Sequence, residues 1–378
     1  MRKKKVVYVI SDIDKALSFE WIADRLNKSV FELYFVLLNP GDSVLEQYLL
    51  TRQVPVRRIR CASKKDWPSA FGLLLRFLMQ TKPDVVHCHL FTANILGLLA
   101  AKLAGVPLRL YTRHHSDYHF RYFPKGVKWD KLCNRLAHRI IAPSQVVKDV
   151  LVDREGVASE KVSVVHHGFD FTYFESVDAE RVATLKSRYN PQQKKPVIGV
   201  ISRFTELKGI QYIIPAFKHV LSQYPDACIL FFNARGDYQA TLHQQLESSL
   251  PQGSYKTIAF ENDLAGIYRL FDVFVQVSTD KSIEAFGQTY VEALAAGVPS
   301  VFTLAGIAND FVQHKHNAWV VPFHHSEQIE QGIVTLLNDP IFSEKLILNG
   351  RKDVKQLFSI DQMIRSLESI YSKAKVKS

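Results

Sequence analysis

The sequence predicts an α/β protein built from two doubly wound domains, each a parallel sheet covered by helices. Three observations carry that prediction. Short apolar runs alternate with amphipathic stretches along the whole chain, the pattern left by strands joined through crossover helices. The chain has 378 residues, enough for two domains that each bury a core. The alternation is broken once, by the polar, proline-bounded segment LKSRYNPQQKKP at 185–196, which reads as a linker.

In the first domain, strands are expected at 6–10, 34–38, 56–59, 84–87, 109–112, 139–142 and 162–165, because each is a short apolar run bounded by polar or turn residues. Helices are expected between them at 19–26, 44–50, 67–80, 93–104, 128–137 and 145–151. The helix at 93–104 stops at Gly105 and Pro107, which cannot extend it. The second domain repeats the pattern, with strands at 197–202, 228–233, 255–258, 273–277, 300–303 and 318–321. Its helices are expected at 209–224, 238–250, 264–270, 287–296, 326–338 and 341–358. A last helix at 360–373 has Ile360, Met363, Ile364, Leu367 and Tyr371 at helical spacing. The expected domains are therefore 1–186 and 197–357, with a hinge at 187–196 and a terminal helix at 358–378.

Apolar residues at 47% and charged residues at 22% describe a globular chain. Cys61, Cys88, Cys133 and Cys228 form no Cys-x-x-Cys pair, which suits a reducing cytoplasm better than a disulfide framework. The basic start MRKKK precedes an apolar run too short for a signal peptide, and no stretch is long enough to span a bilayer. The net charge of +11 is one-sided: residues 1–190 hold 30 Lys and Arg against 19 Asp and Glu. Arg52, Arg57, Arg58, Arg60, Lys64 and Lys65 form one cluster; Lys125, Lys128, Lys131, Arg135 and Arg139 surround Trp129 in another. Such clusters suit an anionic membrane surface, with a plain solvated basic face as the other reading. Nucleic acid is disfavoured because no DNA- or RNA-binding motif accompanies the charge.

The most informative stretch is STDKSIEAFGQTYVEALAAGVPSVFT, residues 278–303. A helix start near Gly287 leaves the amides of Gly287, Gln288 and Thr289 without intrahelical acceptors, a ready anion site. Glu284 precedes it and Glu292 lies in its second turn. Carboxylates beside a phosphate site make sense if they accept hydrogen bonds from ligand hydroxyls, so the ligand should carry both phosphate and sugar. ISRFTELKG, residues 201–209, adds Arg203 and Lys208 beyond a strand end, where open parallel sheets bind ligands and where two cations can neutralise a diphosphate.

Residues 278–303 resemble the Glu, seven residues, Glu signature of the retaining glycosyltransferases of family 4, which have the GT-B fold: two Rossmann-like domains facing a cleft, with a C-terminal helix crossing back to the first domain. The resemblance implies a nucleoside diphosphate sugar donor, with Glu284 at the transferred sugar, Glu292 at the ribose, and Phe286, Gly287, Gln288 and Thr289 at phosphate and sugar. Arg203 and Lys208 resemble the family's diphosphate clamp. LYTRHHSDYH, residues 110–119, resembles its catalytic-face loop, which puts His114 at the donor sugar, although His115 stands where a small residue is expected and leaves the choice between the two histidines open. Asp117 follows nearby, and His89 of HCHL falls on the acceptor side.

The family's paired-glycine loop after the first strand is replaced by DIDKALSFEW, so the hold on the acceptor differs. Asp12 and Asp14 spell an Asp-x-Asp in a fold that does not use one. The resemblance implies no metal and no separate cofactor, the sugar nucleotide being a substrate. The implied activity is hexosyl transfer from a UDP- or GDP-sugar to a glycan or lipid-linked acceptor for surface polysaccharide or glycolipid. A nucleotide-sugar epimerase of the same fold and a non-catalytic sugar-nucleotide-binding subunit are the other readings.

Overall fold

A parallel strand covered on both faces must be apolar along its length. The sequence KKVVYVIS obeys this in β1 (Lys4–Ser11), whose residues Val6 to Ile10 are fully buried. A computed structural model describes residues 2–374. The chain divides into two units: the first runs to Phe169 and resumes at Ile360, and the second spans Asp170–Ser359.

The first unit holds a seven-stranded parallel sheet. Its strands are β1, β2 (Phe31–Asn39), β3 (Val56–Arg60), β4 (Val85–His89), β5 (Leu108–Thr112), β6 (Arg139–Ala142) and β7 (Val162–Val164), in the spatial order β3-β2-β1-β4-β5-β6-β7. The second unit holds six parallel strands, β8 (Val197–Ile201), β9 (Cys228–Phe232), β10 (Tyr255–Ile258), β11 (Val273–Gln276), β12 (Ser300–Phe302) and β13 (Trp319–Val320), ordered β10-β9-β8-β11-β12-β13. Each sheet reverses its strand order once, between β1 and β4 and between β8 and β11. The strands match the expected ones to within a few residues.

The terminal helix Ile360–Ser372 belongs to the first unit, where Ile360, Met363, Ile364, Leu367, Ile370 and Tyr371 join the core of β1 and β2. Gly168 makes this docking feasible, since a Cβ there would stand 2.7 Å from the Ile360 Cα.

The boundary between units differs from the expected hinge at 187–196. The break falls after Phe169, and the helix Ala179–Tyr189 belongs to the second unit. Arg181 pairs with Asp263, Leu185 is buried, and the Tyr189 ring meets Phe232 edge-on at 5.1 Å. The segment looks like a linker in sequence because that helix buries little besides Leu185 and Tyr189 and is polar elsewhere. The four cysteines are buried free thiols. No helix among the described residues is long and apolar enough to cross a membrane.

If the terminal helix is integral to the first core, Leu367→Ala should cost about 2–5 kcal/mol of stability. Urea titration reads this as a lower midpoint at an unchanged slope. An unchanged midpoint would mean the helix is not docked there.

Candidate active site

In an open parallel sheet, the loops leaving the carboxyl ends of two neighbouring strands diverge where the strand order reverses, and a crevice opens between them. In the second unit that place lies beyond β8 and β11. The chain leaves β8 through Ser202 and Arg203 into a tight turn at Glu206–Lys208; it leaves β11 into the loop ending at Gly287. Thr279 stitches the two together, its amide and hydroxyl both donating to the Leu207 carbonyl, at 3.0 and 3.2 Å. Gly209 permits this approach: it sits at φ 70°, and a Cβ there would lie 1.8 Å from the Val277 carbonyl oxygen. The loop after β12 braces the other side, with the Gly306 amide donating to Lys281 O at 3.0 Å and the Ile307 amide to Phe286 O at 2.7 Å.

This scaffold buries Glu284 and brings Lys208 onto it. The ammonium donates to Oε1 of Glu284, and the Ser278 hydroxyl donates to the same oxygen at 2.9 Å. Burial works to raise the pKa of Glu284, but Lys208, Ser278 and Arg203 outweigh it and hold the carboxyl below the usual range. Arg203 is exposed and has no ion-pair partner among the described residues. Ahead of the helix Gln288–Ala296, Gly287 turns the backbone at φ 87°. The amides of Gly287, Gln288 and Thr289 have no acceptor among the described residues. Two cations, three open amides and one ionised carboxylate thus gather at one strand-order reversal. Phe286 contributes only backbone, since its ring is buried against Phe358.

Glu292 behaves differently. Its carboxylate is buried inside the helix's second turn and accepts from the Tyr268 hydroxyl at 3.0 Å. Burial pushes its pKa up to about 7. The two glutamates eight residues apart are therefore shifted in opposite directions.

In the first unit the adjacent histidines part company. Nε2 of His114 lies 3.0 Å from Nδ1 of His89, and its ring is parallel to that of His167. A cavity of about 30 Å³ is lined by His89, His114, His167, Ser18 and Phe19, space for about one water beside Nε2 of His89, which has no partner among the described residues. Burial, then the neighbouring imidazoles, lowers the pKa of His114 to about 3, so it is neutral. His115 instead joins His119 at the Asp130 carboxylate, at 3.3 and 2.6 Å. Those three groups could ligate a metal, but Arg113, 3.0 Å from Asp130, already supplies a positive charge there. Asp117 is buried and accepts from Arg121 at 2.6 Å.

As expected for a strand, His87 and His89 share a face, their rings 4.1 Å apart, while Cys88 faces Gly97 on the other side. His87 spends both nitrogens on Tyr371 and Thr112. In DIDKALSFEW, Asp12 takes φ 52°, a conformation a glycine would adopt more readily. Asp14 accepts from the Val44 amide at 3.1 Å, so its carboxylate is engaged at the start of the helix Val44–Thr51. The sequence reading missed Ser278, Gly209, Gly306 and Tyr268. A glycine directly after Lys208 and another between two apolar runs were the available signals for two of them.

The chain matches the family described as "Glycosyl transferases group 1" over residues 182–353 and "Glycosyltransferase Family 4" over 22–173. Among characterised proteins it is 24% identical, over 98% of both chains, to the capsular polysaccharide biosynthesis glycosyltransferase CapM of Staphylococcus aureus. It is 26% identical to the alpha-monoglucosyldiacylglycerol synthase of Acholeplasma laidlawii, over 79% of this chain and 77% of that one. Its fold superposes on Anabaena HepE, crystallised in complex with UDP-glucose, with a TM-score of 0.84 at 20% identity, covering 97% and 99% of the two chains.

Glu292 gives a test by pH. A carboxyl whose folded pKa is raised from 4.5 to about 7 stabilises the fold while protonated; that contribution is whole below about pH 4.5 and is lost as pH rises to about 7. The loss amounts to about 3 kcal/mol. Glu292→Gln should therefore gain stability relative to the wild type between pH 5 and pH 7.5, measured by urea midpoints. Parallel profiles would contradict the burial of that carboxyl.

Proposed function

Because the chain belongs to the group 1 glycosyltransferases of family 4, with the GT-B fold, we propose that it moves a hexosyl group from a nucleoside diphosphate sugar to a glycan or lipid-linked acceptor, with retention at the anomeric carbon. The observation that carries this reading is the pairing of Lys208 with Glu284 beside Arg203 and the open amides of Gly287, Gln288 and Thr289. That set answers the demands of the reaction. Breaking the bond between the anomeric carbon and the diphosphate leaves negative charge on the leaving group, which Arg203, Lys208 and the amides stabilise. The sugar carbon develops positive charge, which an ionised Glu284 favours.

Glu292 is assigned to the ribose and His114 to the transferred sugar, following the family. The UDP-glucose of HepE favours uridine over guanosine as the base, and CapM and the diacylglycerol synthase favour an acceptor on a surface polysaccharide or glycolipid route. With two protein cations at the diphosphate, no divalent metal is needed in this scheme.

UDP should raise the melting temperature more than GDP does. Glu284→Ala and Lys208→Ala should each lower transfer at least tenfold, about 1.4 kcal/mol of barrier or more. Wild-type turnover in both variants would remove the site assignment. A chelator should leave transfer unchanged; loss with EDTA and recovery with manganese would overturn the metal-free scheme. Incubating donor without acceptor separates transfer from epimerisation, because only an epimerase yields a new sugar nucleotide.

A further inference from the structure

The segment that resembles a linker in sequence, LKSRYNPQQKKP at 185–196, forms a fixed wall in the second unit. It ends the helix Ala179–Tyr189 and leads into β8. The Asn190 side chain clamps it, accepting from the Lys194 amide at 2.9 Å and donating to the Lys194 carbonyl at 2.8 Å. Within that clamp Gln193 donates its amide to the Asn190 carbonyl at 3.0 Å and takes φ 52°, a left-handed conformation uncommon outside glycine. Arg269 and Leu270 face this wall, together with Asp272 at the entry to β11, and they enclose a cavity of about 570 Å³. It lies at the amino ends of β8 and β11, whereas Arg203, Lys208 and Glu284 follow the carboxyl ends of the same two strands. A five-residue strand, roughly 16 Å, separates the two places.

Four cations line the cavity, Lys186, Lys194, Lys195 and Arg269, against one carboxylate, Asp272. That carboxylate is engaged, accepting from the Val197 amide at 2.7 Å. None of the three lysines has an ion-pair partner among the described residues. Lys194 is half-buried all the same, and an ammonium drawn out of water without a counter-charge is unfavourable. Arg269, also half-buried, gives one N–H to the Phe174 carbonyl at 2.9 Å and keeps four more. Burial and then the nearby Arg351 guanidinium work against its charge; Glu175, which favours it, is itself paired with Lys355. Each of these cations gains if an anion enters.

We propose that this cavity is a second anion site, separate from the one after β8 and β11, and that it takes a small phosphorylated metabolite. A compact, multiply charged phosphate can meet several cations at once, and a guanidinium can hold it through two parallel N–H bonds. The volume falls in the range of small-ligand sites and exceeds what phosphate alone fills. Pro191, Val197 and Leu270 supply an apolar side for an organic part, and Ser187 and Gln193 add polar groups suited to hydroxyls. The proposal does not depend on the donor assignment, since it uses none of that site's residues.

The test is calorimetric titration and thermal shift of the whole protein with inorganic phosphate, ribose 5-phosphate and, as the uncharged control, ribose, each with and without saturating UDP. Ribose 5-phosphate should bind in both conditions and raise the melting temperature, while ribose does neither. Inorganic phosphate should bind more weakly and compete with it. Lys186→Glu with Lys195→Glu, and separately Lys194→Gln, should each weaken ribose 5-phosphate binding at least tenfold while keeping the melting temperature of the free protein and its shift with UDP. Arg203→Ala should leave that binding unchanged. Failure of both phosphates to bind, undiminished binding in both lysine variants, or binding abolished by UDP or by Arg203→Ala would each overturn the proposal. A UDP shift without ribose 5-phosphate binding removes only the second site; lysine-dependent ribose 5-phosphate binding without a UDP shift removes the donor reading and leaves the second site in place.

Discussion

One largely buried ion pair ties together the loops that form the candidate site of the second unit. Glu284 lies among side chains and loops that strip it of water, and an unpaired carboxylate in that position would be costly. Lys208 reaches it because the turn after β8 is pinned to the loop after β11 through Thr279, and because Gly209 has no Cβ to collide with the Val277 carbonyl. The pair thus fixes two loops from non-consecutive strands. It also fixes where charge is left over: Lys208 has two further ammonium protons, and Arg203 stays exposed beside it. A site preorganised in this way needs little rearrangement when a polyanion arrives, which is the condition for strong electrostatic stabilisation.

The same unit holds a second carboxyl shifted in the opposite direction. Among the described residues Glu292 has no cation against it, only the Tyr268 hydroxyl, and burial carries its pKa to about 7. Surroundings that push two carboxyls in opposite directions suit them to different chemistry. Glu284 is a fixed negative charge, suited to a developing cation. Glu292 is near the midpoint of its titration at neutral pH, so it can accept a hydrogen bond from a ribose hydroxyl or, when protonated, donate one. A ligand that brings hydroxyl donors to it would lower its pKa, and donor binding would then release a fraction of a proton.

The alternation of apolar runs and amphipathic stretches made both sheets legible, because strands buried on two faces tolerate few polar residues and the connections between them are short. The spacing of Glu284 and Glu292 and the two cations after β8 marked the place in the second unit where a carboxylate, two cations and open amides gather. Other features were hidden for identifiable reasons. The end of helix 179–189 falls in the segment 185–196 that reads as linker, because packing places only Leu185 and Tyr189 of the helix inside, too few to leave a period. Ser278, Gly306 and Tyr268 act through contacts formed between distant loops, and a single sequence carries no mark of such pairings. The histidines were ambiguous as neighbours. Separation came from tertiary structure, which gave His115 to Asp130 and His114 to His89.

That separation bears on the chemistry expected of the first unit. His114 lies among His89, His167 and His87, and burial together with their mutual repulsion as cations keeps it uncharged, with a pKa near 3. A protonated imidazole would oppose positive charge growing on a transferred sugar. A neutral one can exchange hydrogen bonds with a sugar hydroxyl without that penalty. His89 extends the control, since the position of the proton in its contact with Nε2 of His114 decides whether Nδ1 of His114 is a donor or an acceptor. The unit that carries most of the protein's positive charge on its surface therefore keeps it out of this interior cluster. Apart from Arg113, buried against Asp130 and Glu155, the cations of this unit lie away from the cluster, and its histidines are held neutral by burial.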